Sequence, residues 1–523
     1  MKKSYWGWLL VLFVLILAGC TDPTETTEES GGNDGGEEAA SSEDGGGTLT
    51  ITDLSDAQSL DPHVVTDAAS MRYIENMYNT LFRYTEGSYG EVEGELVDEH
   101  EISDDGLTYT LTLHEGVKFH NGDDLTSEDV KYSIERIIEN EVRSAQFDAL
   151  ESIETPSDTE VVMTLNEPVA PLLTFLAYPM NAIVNETIVE ENDGDLSNAD
   201  AGSGAFQLEN WSMDQEMVLT KFDDYFKEGK PYLDEVVWRS IPDETSRTTA
   251  IRNGEVDILM QAEPKDISML EDAEGVDVEM IDGSYWEYLG MNTEDGPLAE
   301  QEVRQAVAWA IDRSAINDSV KFGEATPLLS GPVPPNHWAH LDEEIYPEPD
   351  LDQARELLEE AGYGDGLDIE LIVGTNQFQI DAAQVIKQQL SEVDINVEVL
   401  SQEDSVFFDA LGSGDFEMTV VGWVGFVDPD EFLYNIFHTD GMYNQQNYSN
   451  SEVDELLEQG RSEQDQEQRK ELYDEAQRLI AEDAPMAFLY VNPQITAMRD
   501  NVQDFDVNPT VTTKSLEDTK IEE

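Results

Sequence analysis

The residues in this sequence that could do chemistry do not form a catalytic pattern. Cys20 is the only cysteine, which excludes paired-thiol chemistry and cysteine-rich metal sites. Motifs of serine hydrolases, zinc proteases, Walker loops and dinucleotide-binding folds are absent. His337 and His340 are spaced like two ligands of one metal, but they stand among prolines in a predicted loop, where surface histidines are the simpler interpretation. The sequence therefore predicts a protein that is not an enzyme and needs neither metal nor cofactor.

Acidic residues are so abundant that their pairing carries no information. The chain has 115 Asp and Glu against 27 Lys and Arg, a formal net charge of -88. Neighbouring carboxylates such as Asp428 and Glu431 are therefore expected by chance and do not indicate a hydrolase. No basic run follows Lys3, so nucleic acid is not expected as a partner. Because molar salt shortens the screening length to about 3 Å, we interpret the acidity as adaptation to salty surroundings.

The first twenty residues have the pattern of an export signal. Lys2 and Lys3 precede the almost wholly apolar segment Tyr5–Leu17, and small residues then lead to Cys20. This ending resembles a bacterial lipobox, which implies that residues 1–19 are a signal peptide and that Cys20 is lipidated. The alternative is an uncleaved membrane helix, but the apolar segment falls short of the roughly 20 residues that a spanning helix needs.

Residues 20–47 are rich in acids and glycine and lack large apolar side chains. Such a segment is expected to be a flexible tether with a reach of roughly 30 Å. Together with the lipidated cysteine, it predicts an extracytoplasmic protein anchored to the cell membrane.

Hydrophobic periodicity predicts an α/β fold beyond the tether. Residues 48–52 and 107–113 alternate like half-buried strands, and Thr126 with Asp129 forms a capping box that opens a helix over Ser127–Ile138. A strand at 367–373, a helix at 380–393 and a strand at 395–400 make a βαβ unit, which requires parallel strands. Helices are also predicted over 350–361 and 466–482, and the length of the chain requires more than one core.

Three stretches resemble the family 5 extracytoplasmic solute-binding proteins, the dipeptide- and oligopeptide-binding group of ABC importers. They are Ile102–Ile137, Gly202–Ile258 and Tyr288–Arg313. The likeness extends in family order from about Thr48 to Pro509.

The resemblance implies an α/β fold of the type II periplasmic-binding-protein class, with two α/β lobes around a hinged cleft and an inserted extra domain. The expected parts are lobe I (48–66, 195–283 and 489–513), the inserted domain II (67–194) and lobe III (284–488). The chain is expected to cross between the lobes at Gly283–Asn292 and Ala484–Pro493, and ligand is expected to close them.

The function implied is capture of a peptide or related small solute and its delivery to ABC permease and ATPase subunits, by a protein acting as a monomer. A sugar, nickel chelate or opine could take the place of the peptide. A lipid-anchored hydrolase or a sensor partner is the remaining alternative, although the sequence offers no nucleophile and base for the former.

The resemblance also points to candidate ligand-binding residues. Gly422 offers main-chain groups, Trp423 an aromatic wall, and the tyrosines stand where the crossings border the cleft, although each aromatic could equally pack in a core. The candidates are Tyr285, Tyr288, Gly422, Trp423, Phe426, Asp428 and Tyr490.

Charged anchors depart from the pattern of the peptide-binding members. Phe426 stands where they commonly have an aspartate for the ligand's amine; Asp428 could replace it or could stabilise a turn beside Pro429. The helix at 380–393 also lacks the arginine that dipeptide binders place at its start. We therefore expect free dipeptides to bind weakly and cationic solutes to be easier to hold than anionic ones. Loss of the Trp423 ring is expected to cost about 2–4 kcal/mol of binding, and loss of the Asp428 charge much less.

Overall fold

A computed structural model describes residues 46–425 and 427–522 of the chain. Cys20, the predicted signal peptide, nearly all of the predicted tether and Phe426 lie outside the described residues.

The strands are β1 (Thr48–Asp53), β2 (Phe82–Tyr84), β3 (Val92–Gly94), β4 (Val97–Ile102), β5 (Thr108–Leu113), β6 (Leu150–Ser157), β7 (Glu160–Leu165), β8 (Phe206–Ser212), β9 (Glu216–Lys221), β10 (Glu235–Ser240), β11 (Ile258–Leu259), β12 (Val276–Met291), β13 (Thr326–Pro327), β14 (Leu367–Val373), β15 (Ile395–Ser401), β16 (Met418–Val424), β17 (Met486–Arg499), β18 (Val502–Gln503) and β19 (Lys520–Ile521).

The helices are α1 (Ala68–Met77), α2 (Ser127–Glu139), α3 (Leu172–Ala177), α4 (Glu186–Glu191), α5 (Glu244–Asn253), α6 (Ile267–Glu271), α7 (Gln301–Ala310), α8 (Arg313–Val320), α9 (Leu351–Glu360), α10 (Gln377–Ser391), α11 (Asp404–Ser413), α12 (Pro429–Phe437), α13 (Ser451–Ser462) and α14 (Gln466–Asp483).

The largest sheet of the described fold has the order β15-β14-β16-β12-β17-β11-β1-β10-β9-β8, with β13 paired to β17. With the expected boundaries used as labels, β14, β15 and β16 at one end fall in the range of lobe III. The strands β1, β8, β9, β10 and β11 at the other end fall in the ranges of lobe I. The long antiparallel strands β12 and β17 join the two ends. Their pairing shifts register between Asp282 and Trp286. Gly283 lies within this shift and approaches β17 so closely that a Cβ on it would be 2.9 Å from the Asn492 carbonyl oxygen.

Helices cover both faces of this sheet. Neighbouring residues of one strand pack in different hydrophobic cores. In β11 of lobe I, Ile258 packs in one core and Leu259 in another. In β14 of lobe III, Leu371 and Ile372 are divided in the same way. Because successive side chains of a strand point to opposite faces, each lobe has a core on either side of its sheet. Domain II has its own antiparallel sheet, β4-β5-β7-β6, packed on α2.

Most of the predicted elements are confirmed. The capping box of Thr126 and Asp129 is formed at the start of α2, and β14 and β15 are parallel and joined by α10. Helix α10 begins three residues earlier than predicted, at Gln377, because the Asn376 side chain accepts hydrogen bonds from the backbone N–H groups of Phe378 and Gln379. The helices of the described ranges include none with the length and apolar content to cross a membrane.

Candidate ligand-binding cleft

A cleft of about 660 Å³ lies where β12 and β17 pass between the lobes. Lobe I contributes residues 261–264 after β11, and the crossing strands contribute residues 283–285 and 492–494. Lobe III contributes a patch that consists of Glu287, Lys321, Asn376, Phe378 and Val424. Side chains of both lobes therefore face one space, which has the size typical of small-molecule sites.

Glu287 is at the centre of the lobe III wall. It pairs with Gly422 of β16 on one side and with Tyr490 of β17 on the other. Its side chain is 1% exposed, and its Oε2 accepts a hydrogen bond of 2.6 Å from the Tyr490 hydroxyl. The register of the sheet thus places two predicted site residues, Gly422 and Tyr490, on either side of Glu287.

Tyr285 lies two residues before Glu287 in β12 and lines the cleft directly. Its hydroxyl accepts a hydrogen bond of 3.4 Å from Gln379 Nε2 of α10. A Cβ on Gly422 would lie 2.0 Å from this hydroxyl, so a side chain at that position would displace the ring. Gly422 therefore shapes the cleft through the space it leaves for Tyr285.

Lys321 supplies the positive charge of the lining. It is the C-cap of α8, where its backbone N–H donates to the Asn317 carbonyl at 2.8 Å. Its ammonium lies 3.8 Å from Glu287 Oε1 and 4.2 Å from the centroid of the Phe378 ring. The residue is 6% exposed, so a largely desolvated cation is held at the wall of the cleft.

Opposing charges act on this ammonium from both lobes. Burial lowers the pKa of Lys321, while the negative charges of Glu287 and, in lobe I, Glu263 act in the opposite direction. Burial and the neighbouring Glu244 raise the pKa of Glu263. The cleft therefore has an acidic group on the lobe I wall and a lysine beside a carboxylate on the lobe III wall.

Other predicted aromatics lie behind or beside this lining. Tyr288 is 3% exposed and packs on Trp286, with ring centroids 4.9 Å apart. Trp423 pairs with Trp286 across β12 and β16 and packs on Tyr443 at 4.7 Å, and it is not one of the lining residues.

Asp428 is engaged inside lobe III. It is 4% exposed, and its two carboxylate oxygens accept hydrogen bonds of 2.8 and 3.0 Å from the guanidinium of Arg469. It also caps α12 by accepting from the backbone N–H of Asp430. Both contacts are structural, and the neighbouring candidate Phe426 lies outside the described residues.

Sequence reasoning missed Lys321, Glu287 and Glu263 as residues of the cleft. One signal was available for the lysine, since Lys321 is the only Lys or Arg between Arg313 and Arg355 in a chain that has few of either. The two glutamates gave none among 115 acids. Within the described part of the chain, no group of three His, Cys, Asp or Glu side chains is arranged to hold a metal ion.

Comparison with known proteins places these features in a family. The model of the bacterial extracellular solute-binding proteins, family 5 (middle), matches residues 91–444. The glutathione-binding protein GsiB of Salmonella paratyphi A is 28% identical over 469 residues, which are 87% of this chain and 91% of GsiB.

Solved structures agree over nearly the whole chain. The ABC transporter-associated periplasmic binding protein DppA of Helicobacter pylori, in complex with the peptide STSA, has a TM-score of 0.76 and 27% identity, covering 92% of this chain and 99% of DppA. AgaA from A. tumefaciens R10, in complex with agropinic acid, has a TM-score of 0.76 and 29% identity, covering 91% and 99%. The predicted fold class, a type II periplasmic-binding-protein fold, is thereby confirmed. The chain belongs to the bacterial extracellular solute-binding proteins of family 5, and it is a binding protein and not an enzyme.

Proposed function

We propose that this protein captures a peptide or a related small solute in the cleft between its lobes and delivers it to the permease and ATPase subunits of an ABC importer. The observation that carries the proposal is a cleft of about 660 Å³ lined by both lobes at the place where two strands cross between them. Two crossings allow rotation about a hinge, and closure would shield the solute from water. The lobes are taken to follow the boundaries given above, and the protein to act as a monomer.

The chemistry of the lining suits a peptide-like solute. Gln494 lines the cleft from β17, and its Nε2 is buried without a hydrogen-bond partner among the described residues. A buried amide donor left unpaired is costly, and a peptide carbonyl would satisfy it. Tyr285 and Phe378 offer rings for side chains of varied shape. The relatives named above are described with glutathione, a peptide and agropinic acid.

Calorimetry with a panel of di- to pentapeptides, preceded by native mass spectrometry of the purified protein, tests this function. We expect a peptide-sized solute to bind, and Tyr285→Ala to weaken its binding by roughly 5- to 30-fold, because a ring in the lining contributes on the order of 1–2 kcal/mol. Tyr363→Ala, the same change outside the lining, is the matched control. Trp423→Ala tests the aromatic wall expected from the sequence. Failure of every peptide to bind and of any solute to co-purify would contradict the proposal.

We also propose that the protein is held at the outer face of the cell membrane by lipid on Cys20. Cys20→Ala should then release essentially all of the protein from the membrane fraction, because a tether without its lipid has no apolar group to hold it. Thr21→Ala should leave the protein in the membrane fraction, and both variants should still bind solute. Retention of the Cys20→Ala protein would instead favour an uncleaved membrane helix.

A further inference from the structure

Domain II reaches into lobe III through the loop between β2 and β3, residues 85–91. Tyr89 of this loop is 6% exposed and packs in the same core as Trp286 and Phe432 of lobe III. Its ring lies edge-on to the ring of His337, with the centroids 4.9 Å apart, and 6.3 Å from the ring of Phe432. A side chain of one domain thus occupies a place in the core of another.

The backbone of this loop is fitted to the same surface of lobe III. Gly90 has a φ of 102°, and a Cβ on it would lie 2.3 Å from Cδ1 of Trp338. Its carbonyl accepts a hydrogen bond of 3.1 Å from the indole Nε1 of Trp338. Glycine is required here both for the backbone angle and for the close approach, so the sequence of the loop suits this contact.

Domain II is firmly joined to lobe I. Arg136 of α2 donates hydrogen bonds of 2.9 and 2.6 Å to the carboxylate of Asp61, which is 2% exposed. Arg143 donates to the carbonyls of Pro62 and Val65 at 2.6 and 2.8 Å. Buried contacts of charged groups are costly to break. A rotation of lobe III about the crossing strands therefore moves it against domain II as well as against lobe I.

The other contacts between domain II and lobe III are easier to give up. The backbone N–H of Ala170 donates a hydrogen bond of 2.9 Å to the carbonyl of Arg461, and a Cβ on Gly106 would lie 3.4 Å from the side-chain nitrogen of Gln464. Water can replace a hydrogen bond of this kind when two surfaces separate. It cannot replace the apolar surroundings of the Tyr89 ring, whose exposure would cost free energy.

Tyr89 lies directly behind the wall of the cleft. Its hydroxyl donates a long hydrogen bond of 3.4 Å to the carbonyl of Gly425, which follows the lining residue Val424. The hydroxyl is also hydrogen-bonded with Ser284, a lining residue in the crossing strand β12. The N–H of Gly425 donates to the Ser284 carbonyl at 3.0 Å. The loop thus contacts lobe III where the lobe meets the strand about which it would rotate.

We propose that the loop 85–91 is a latch that holds lobe III in its position against domain II and leaves that position when the cleft opens. The inserted domain then controls how readily the cleft opens, a role that the residues lining the cleft do not fill. Its consequence for solute release rests on the proposed function, but the latch itself can be tested without a solute.

The test measures the distance between lobe I and lobe III in solute-free protein in molar KCl. Spin labels are placed on Thr245→Cys of α5 and Gln388→Cys of α10, both exposed positions, and Cys20→Ala removes the only other thiol. Pulsed electron resonance of this protein is expected to show the distance of the latched arrangement. In Tyr89→Ala the ratio of latched to open protein should fall by roughly 10- to 100-fold, as for exposing one buried aromatic side chain.

Two further variants break the latch without removing the tyrosine. Gly90→Ala should shift the ratio in the same direction, because its methyl group would meet the ring of Trp338. Trp338→Phe should shift it less, because the variant loses only the N–H donor and part of the ring. Phe147→Ala removes a buried ring from the core of domain II itself, so it should lower the melting temperature and leave the distances unchanged.

The inference is overturned if Tyr89→Ala melts at a lower temperature but keeps the distances of the labelled parent, since the ring would then only fill a core. A labelled parent that shows only the open distance would overturn it as well. If a peptide of the panel binds, its release from Tyr89→Ala should be faster by a similar factor, and an unchanged rate would overturn the role in release. Failure of every peptide to bind would contradict the proposed function, while the distances would still decide on the latch.

Discussion

Replacing Asp428 by alanine is expected to lower the free energy of unfolding by about 3–5 kcal/mol while changing solute affinity by less than about twofold. The carboxylate is 4% exposed and makes two hydrogen bonds to Arg469, which is 7% exposed. Its removal leaves a buried guanidinium without its charge partner and removes the N-cap of α12. Urea denaturation and calorimetry on the same preparation measure the two effects.

Two further variants identify the ion pair as the cause. The double variant Asp428→Asn with Arg469→Met should recover part of the lost stability, because neither charge is then left buried alone. Arg461→Met breaks the neighbouring pair with Asp430, in which the arginine side chain is 36% exposed, and should cost less. A variant Asp428→Ala that folds with normal stability and no longer binds solute would instead show that Asp428 is the amine anchor.

Local sequence patterns predicted the elements well because the physics that sets them is local. The capping box of α2 needs only residues three apart, and the alternation in β5 needs only one strand. The βαβ unit of β14, α10 and β15 follows from periodicity and length. The resemblance added the order of the parts, which periodicity does not contain.

The site could be predicted only in part because it is assembled from distant segments. Tyr285 lines the cleft, yet its neighbour of similar chemistry, Tyr288, lies in a core, and the difference depends on the strand register and on the glycine at 422. Lys321 reaches the cleft only because α8 ends beside β12 and α10. No spacing in the sequence relates Lys321 to Glu287.

Net charge and local charge lead to different expectations for the solute. A total of -88 favours cations near the surface, in line with the expectation that cationic solutes are easier to hold than anionic ones. At the lobe III wall the nearest charges are instead Lys321, the carboxylate of Glu287 beside it and the N-terminus of α10. In molar salt the field of the surface is screened within about 3 Å, whereas buried pairs are screened much less. Under those conditions the contacts inside the cleft decide which solute is preferred.

Because the chain has 115 acidic and only 27 basic residues, its stability is expected to depend strongly on salt concentration. The melting temperature is expected to rise by roughly 10 °C or more from dilute buffer to molar KCl, because screening removes repulsion within the compact state. Differential scanning calorimetry over a KCl series measures the change. A melting temperature that stays flat over this series would show that the charges do not limit stability.

Variants on exposed helix faces distinguish screening from a general salt effect. Glu356 and Glu360 are exposed on α9 and lie four residues apart, where like charges face each other along one side of the helix and near its negative C-terminal end. Changing both to glutamine should raise the melting temperature in dilute buffer by a small amount, since such a pair contributes roughly 0.2–0.5 kcal/mol. The gain should vanish in molar KCl, where the repulsion is already screened. Gln459→Glu on α13, four residues after the exposed Glu455, should do the reverse in dilute buffer and nothing in molar salt. A gain or loss that persists at high salt would assign the effect to packing instead of charge.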